Sequence, residues 1–308
     1  RVPLGFAAKA GRKDKPLHVF NFRQIQGTVI HRSGTLAVCS LLILAALCCF
    51  GAGVAIARFY DDSESHVLDY TFQPVKSEEE SAAIRQVLHE HQLDTRFSEL
   101  FEMKVGHVHT TEDLNNAFQM ESVISELAEK DPSDARDVLL NNLRFAGLPP
   151  LIALSSYNRL LSAAGLPELK LDADEAAVYM DREFCSDEKA QIMNSILEIR
   201  PETRLDGKPL YLTETVQTTN LVTDRSITLS FALILPDEAF EYYTQSRYAI
   251  YLDGILDVSG AENSSLMAAI ADMNDELDEA GLAYESYLQN MGRQLFYMVA
   301  ASYITIYL

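Results

Sequence analysis

The chain has 308 residues and a net charge of −20 that is split unevenly: residues 1–33 carry seven Lys/Arg against Asp14 alone, so a basic block of +6 precedes a remainder of −26. Of its four cysteines only Cys185 lies beyond residue 49, which excludes an internal disulfide as the support of the acidic part. The roughly 230 residues of that part are nevertheless enough chain to bury a hydrophobic core without one.

In chain order, residues 1–16 read as a basic linker ending at Pro16. In Leu17–Arg32, Phe22, Ile25 and Val29 recur at helical spacing, with Arg23, Gln24 and Gln26 elsewhere on the turn. This pattern fits an interfacial helix lying along a membrane, or else a continuation of the helix that follows. Thr35–Ala57 contains 23 residues and no charge. At about 1.5 Å per residue it would extend roughly 34 Å, slightly more than the ~30 Å hydrocarbon core of a bilayer. A cleaved signal peptide has a shorter apolar stretch nearer the N-terminus. The Lys/Arg bias then predicts residues 1–33 inside the cell and the chain after Arg58 outside. Gly51 and Gly53 are candidate helix-packing positions, although small residues are also ordinary in such a segment.

The acidic part mixes helical and strand periodicities. Ser77-Glu78-Glu79-Glu80 is a capping-box pattern, and Ile84, Val87, Leu88 and His91 continue at helical spacing, predicting a helix over Glu78–His91. Phe101, Met103 and Val105 alternate with Glu102 and Lys104 as in a strand. Leu151–Leu154 is a short apolar strand, followed by a helix with Ser155 at its cap that Gly165 and Pro167 end. Leu210–Val216 and Ile227–Leu235 are expected to pair as a hairpin around Thr223–Ser226. Pro236-Asp237-Glu238 opens a further helix. Ile250–Val258 reads as a strand, and Asn263–Glu279 as a helix with Leu266, Ile270, Met273 and Leu277 inward. The units LIALSSYNRLLSAAG and FALILPDEAFEYYTQ echo one another as strand followed by helix. The final run, Leu295–Leu308, has 14 apolar-rich residues, too few to cross a bilayer.

The expected architecture is therefore a membrane protein with transmembrane α-helices flanking a large α+β extracytoplasmic domain. Residues 1–33 form the cytoplasmic segment, 34–58 a transmembrane helix, 59–291 the extracellular domain, and 292–308 the start of a second span. A start at Arg1 and an end within an apolar run predict a chain cut at both ends.

Chemistry is sparse. No nucleophile motif, phosphate loop or zinc signature is present. His107 and His109 would share a strand face, as a metal pair requires, whereas His89 and His91 on a helix would diverge. Surface histidines explain both pairs better. The acidic groups Asp172/Asp174/Glu175 and Asp272/Asp275/Glu276/Asp278/Glu279 lack the spacing of a calcium loop and read as solvated helix faces. No cofactor, metal or catalytic residue is expected.

The stretches FNFRQIQGTVIHRSGTLAVCSLLILAALCCFGAGVAIA, LIALSSYNRLLSAAGLPEL, ALILPDEAFEYY and MGRQLFYMVAASYITIYL, in this order, resemble permease subunits of the FtsX-like family of ABC transporters, of the MacB and bacitracin-efflux (Bce) type. The resemblance implies a subunit with no ATPase or catalytic site of its own. A separate cytoplasmic ABC ATPase would move it, passing motion to the outer domain for export of, or resistance to, antimicrobial peptides or lipids. It also implies membrane lipid as a partner, with a second permease or a membrane histidine kinase alongside, and no nucleic acid. Phe22, Arg23, Ile25, Val29 and Arg32 are the candidate coupling segment. A two-span sensor with an extracellular ligand-binding domain is the competing expectation; further spans or a signalling domain beyond residue 308 would separate the two.

Overall fold

Short strands buried on both faces set the architecture. Leu151–Ala153, Glu175–Tyr179 and Ala232–Leu235 are buried at every position, the pattern of strands in the middle of a covered sheet. The structure, a computed structural model, describes residues 38–51 apart from 45 and 48, and residues 66–307 apart from 112, 114–116, 146, 224–226 and 259–265.

Residues Glu64–Arg293 make one compact unit. Its elements are β1 (Tyr70–Phe72), α1 (Glu78–Glu90), a 3-10 turn (Asp94–Arg96), β2 (Phe97–Gly106), β3 (Phe118–Gln119), α2 (Glu121–Glu129) and α3 (Asp134–Arg144). They continue with β4 (Leu151–Ala153), α4 (Leu154–Ala163), β5 (Glu175–Tyr179), α5 (Asp187–Leu197), β6 (Glu202–Leu205) and β7 (Lys208–Gln217). The last are β8 (Ala232–Leu235), α6 (Asp237–Thr244), β9 (Tyr248–Leu256), α7 (Leu266–Glu279), β10 (Tyr284–Ser286) and the start of α8 (Tyr287–Tyr307). The strands form one ten-stranded mixed sheet in the order β10-β1-β9-β2-β4-β8-β5-β7-β6-β3. The longest pairing is β2 with β9, antiparallel from Phe97↔Leu256 to Gly106↔Tyr248. β4 and β8 run parallel at the centre.

Alternation along the strands divides the core. On one face α2, α3, α5 and α6 bury Val123, Leu127, Leu139, Met193 and Phe240 against Leu151, Val178 and Leu233. On the same face α1 and α7 bring Leu88, Ile270, Met273 and Leu277 onto Tyr70, Phe72 and Leu252. The other face carries α4, through Tyr157, Leu160 and Leu161, with Leu221, Val222 and Leu229 of the segment between β7 and β8. Each large apolar side chain so buried contributes about 1.5–3 kcal/mol.

Local chemistry explains the element ends. Ser77 accepts the Glu80 amide at 3.2 Å while the Glu80 carboxylate takes the Lys76 amide at 2.9 Å, closing both ends of the capping arrangement. Gly165, at φ +68°, ends the turn after α4 as its sequence position requires.

Several expectations are corrected. Among the described residues no helix is long and apolar enough to cross a membrane, which overturns the fold expected from sequence, a membrane protein with transmembrane α-helices flanking the domain. In the first apolar run the described residues, all helical, fall within 38–51. Residues 35–37 and 52–57 of that run lie outside the described residues. α8 has 21 residues, but its first turns belong to the compact unit and carry Gln289, Asn290 and Arg293. The α+β domain itself is present. β7 and β8 do not form a hairpin, because β5 lies between them, parallel to β7 and antiparallel to β8. Ser155 does not cap α4 with its side chain; its amide instead donates to the Asp237 carboxylate, 3.0 Å away at the start of α6. Glu175 belongs to no solvated helix: it opens β5 and pairs with Arg200. Burial of an Ala-Ala-Val-Tyr strand outweighs the polarity of its neighbours.

Gly254 faces Tyr70 on one side and Leu100 on the other. A Cβ there would stand 2.6 Å from the Phe97 ring. That ring is held by edge contacts to Tyr70 at 5.8 Å and Phe72 at 6.3 Å, so it cannot move aside cheaply. Gly254→Ala is expected to destabilise the chain by about 1–3 kcal/mol in denaturant unfolding, the usual cost of overpacking. Residues 64–293 expressed alone should fold and melt at the same temperature with and without reductant, since Cys185 is their one cysteine. A reductant-dependent melt, or the spectrum of an unfolded chain, would contradict this.

Candidate functional site

The sheet places the first and last strands of the domain side by side. β1 and β10 are antiparallel neighbours, Tyr70 opposite Ser286 and Phe72 opposite Tyr284, so the chain enters and leaves the domain at adjacent positions. α8 starts at the residue after β10. Whatever displaces the first turn of α8 therefore acts directly on an edge strand.

Asp69 binds this point together. Its amide donates to the Gly254 carbonyl (3.1 Å) and its carbonyl accepts the Tyr287 amide (2.8 Å). One carboxylate oxygen lies 2.7 Å from Nε2 of His66, and the other accepts the Leu256 amide at 2.7 Å. The His66 ring stacks on Tyr287 with centroids 3.6 Å apart. At 2 % exposure, Asp69 is a buried carboxylate whose hydrogen bonds offset the cost of removing it from water.

Two residues along the same strand face, a second polar chain begins. Asn290, in the first turns of α8, donates Nδ2–H to the Thr223 carbonyl at 2.6 Å. The Thr223 amide donates to Thr71 Oγ1 at 2.9 Å, and Thr71 Oγ1 donates to Asp253 Oδ1 at 2.6 Å. Thr223 Oγ1 also donates to the Glu285 carbonyl at 3.1 Å. Asp253 sits in the middle of β9, opposite Thr71 on one side and Phe101 on the other. It is fully buried, and its Oδ2 has no hydrogen-bond partner among the described residues. Burial pushes its pKa well above the usual carboxylate range, opposed only in part by the Thr71 hydroxyl. Burial thus favours the protonated form of this side chain. A buried polar atom left unpaired costs about 1–3 kcal/mol, so this group calls for a physical account.

The sequence-derived candidates lie elsewhere. Phe22, Arg23, Ile25, Val29, Arg32 and Gly53 fall outside the described residues. Gly51 is in the helical stretch, with nothing within 4 Å of where a Cβ would stand. His107 and His109 follow the end of β2 and are exposed. His107 is pushed below the ordinary imidazole value, first by desolvation and then by His109. His89 pairs with Asp94 at 2.7 Å, which raises the histidine and lowers the acid, while His91 caps the end of α1. Among the described residues no group of three or more His, Cys, Asp or Glu side chains is placed to hold a metal ion. Asp272, Asp275, Glu276 and Glu279 lie along α7, where Glu276 pairs with Arg96 at 2.7 Å and Asp278 accepts the Tyr284 hydroxyl at 3.0 Å.

Sequence reasoning found neither Asp69 nor Asp253 as a site. The signal for Asp253 was available: in YAIYLDGIL it is the one acid inside a strand otherwise patterned for burial. The chain matches no protein-family model and no characterised protein.

In the folded state Asp253 keeps a proton that the unfolded chain gives up above its ordinary pKa of about 3.9. Its contribution to stability is fully present below that pH and declines as pH rises toward the folded value. Between pH 5 and 7 this one proton should steepen the loss by up to about 1.4 kcal/mol per pH unit. Asp253→Asn, which cannot ionise, should lack that component when unfolding free energy is measured across the interval. Equal slopes for the two proteins would show that Asp253 is already ionised in the fold.

Proposed function

We propose that this chain is a permease subunit of an FtsX-like ABC transporter, and that its α+β domain passes motion between a separate cytoplasmic ATPase and the outer surface of the cell. The observation that carries the reading is the adjacency of β1 and β10, with α8 growing directly from β10 and tied to the sheet through Tyr287 and Asn290. Chain ends that lie close together are common in domains; here they are also bonded to each other and to a common buried network, an arrangement that suits a domain relaying displacement.

Two of the four phrases of the resemblance, LIALSSYNRLLSAAGLPEL and ALILPDEAFEYY, supply β4–α4 and β8–α6, whose strands are the parallel pair at the centre of the sheet. Their helices pack on opposite faces, Tyr157 on one and Phe240 on the other. These two strand–helix units form the middle of the sheet, between the connection at one end and β3 at the other. In this reading the chain works at the cell membrane as part of a larger assembly, with residues 59–291 extracellular. Membrane lipid and the ATPase are its partners, with a second permease or a histidine kinase alongside. Antimicrobial peptides or lipids are the class of cargo, and the chain itself hydrolyses nothing.

The experiment isolates the chain from its native membrane with the ATPase bound and compares it with a Phe22→Asp, Ile25→Asp double variant. ATP hydrolysis is expected to persist in the variant while transport or resistance falls by at least about tenfold, the loss of roughly 1.4 kcal/mol of coupling. A variant that works normally would reduce Leu17–Arg32 to an anchor, and a chain that carries no ATPase would overturn the reading.

A further inference from the structure

The segment that covers Asp253 is the same segment that α8 holds. Leu221 and Val222 are buried over the sheet face that carries Tyr251, and Thr223, the next residue, is bonded to Asn290 of α8 and to Thr71 beside Asp253. This is the thinly covered face, where α4 and the chain between β7 and β8 do the work that six helices do on the other side. We propose that Asn290, Thr223 and Thr71 form a latch by which the position of α8 decides whether the carboxyl of Asp253 is sealed from water or open to it.

The chemistry of the latch follows from the bonds. With Asn290 in place, the Thr223 amide is fixed on Thr71 Oγ1, which leaves that hydroxyl's one proton for Asp253 Oδ1. The second oxygen of Asp253 has no partner among the described residues, and burial there favours the protonated carboxyl. If the first turn of α8 moves away, Thr223 loses its hold on the carbonyl side, and the segment Leu221–Thr223 can lift. Water then reaches Asp253, whose O–H bond breaks to give a carboxylate and one solvated proton. Hydration of that charge opposes re-burial, so the open state is reinforced by rising pH and the sealed state by falling pH.

Among the described residues no charged group pairs with Asp253 in the sealed state. Desolvation and the Thr71 hydroxyl are what set the ionisation of Asp253. On β9 its neighbour is the phenol of Tyr251, itself pushed up by burial and by Asp253. Just before β1, Asp69 is engaged by His66. On β2, Glu99 pairs with Arg159 of α4, and on β10, Glu285 pairs with Arg293 of α8. The latch rests on the transmission reading for its purpose, but it is tested without any ATPase, so the two can fail separately.

The test is amide hydrogen exchange in the 308-residue chain, read at Thr223, with the Leu256 amide as the internal reference. Leu256 donates to Asp69 and not to the latch. Asn290→Ala should lower protection at Thr223 by about tenfold or more, the loss of one good buried hydrogen bond of about 1.4 kcal/mol, and leave Leu256 protected. After correction for intrinsic exchange, the opening at Thr223 should grow between about pH 5 and about pH 8, and Asp253→Asn in the same background should abolish that growth. Asn290→Asp, which keeps the size and loses the donor, gives the same comparison if the alanine variant does not fold. Asp253→Asn alone makes it again through the rarer opening of the otherwise unaltered chain. Protection at Thr223 that ignores Asn290, falls equally at Leu256, or keeps its pH dependence without Asp253 would overturn the latch.

Discussion

The antiparallel pairing of β2 with β9 is the constraint from which the rest of the domain hangs. It runs the length of both strands, joins the β10-β1 edge to the β4–β8 centre, and brings together segments separated by most of the domain's sequence. Closing so long a loop costs only slightly more than closing a short one, because the entropy grows with the logarithm of loop length. The intervening strands β3 to β8 can therefore be added to one side of β2 without weakening the β2–β9 pair. Glycine makes the close approaches possible at both ends. Gly106 leaves room for Thr244, whose methyl would lie 2.7 Å from a Cβ, and Gly254 leaves room for the Phe97 ring.

Because β9 lies between β1 and β2, its alternation sorts the whole edge region into two environments. Ile250 and Leu252 face the helix-covered side, where Tyr70 sends its hydroxyl to the Ile270 carbonyl at 2.7 Å and to Asn274 at 2.8 Å. Tyr251 and Asp253 face the side covered by extended chain. An apolar helix layer is expensive to peel off, since each side chain removed exposes about 1.5–3 kcal/mol of buried surface. A covering segment that buries only Leu221 and Val222 beside its hydrogen bonds costs less to displace than a whole helix layer. The face that can open is thus set by the sheet's alternation, and the acid lies on that face.

What could be read from the sequence was what depends on neighbours in the chain. The Ser77 capping pattern, the β2 alternation, the apolar stripe of Leu266, Ile270, Met273 and Leu277, and the proline before α6 all report local geometry, and each matches an element. The hairpin of β7 with β8 failed because proximity in sequence stood in for pairing: β5, though preceded by an acidic run, offers two buried faces and takes the place between them. Composition alone does not show that the first turns of α8 are committed to the domain by Tyr287 and Asn290. The site was the least legible. Asp69, Thr71, Thr223, Asp253 and Asn290 are scattered along the chain and meet only because β1, β9 and β10 are neighbours, which no spacing rule could show.

The energetics of Asp253 connect this architecture to its use. A domain built only for stability would place valine or leucine opposite Thr71, since replacing a buried, incompletely bonded polar group by an apolar one of similar shape is often neutral or favourable. A buried carboxyl is instead tolerated, with the deep β2–β9 pairing and the helix layers on the other face offsetting its cost. Its one good partner, Thr71, is also the acceptor for the segment that α8 holds, so the penalty is concentrated at the point where α8 joins the sheet. A cost placed there narrows the free-energy gap between the sealed and lifted positions of that segment and leaves the remainder of the fold untouched. A small displacement of the first turn of α8 then suffices to change which position is favoured.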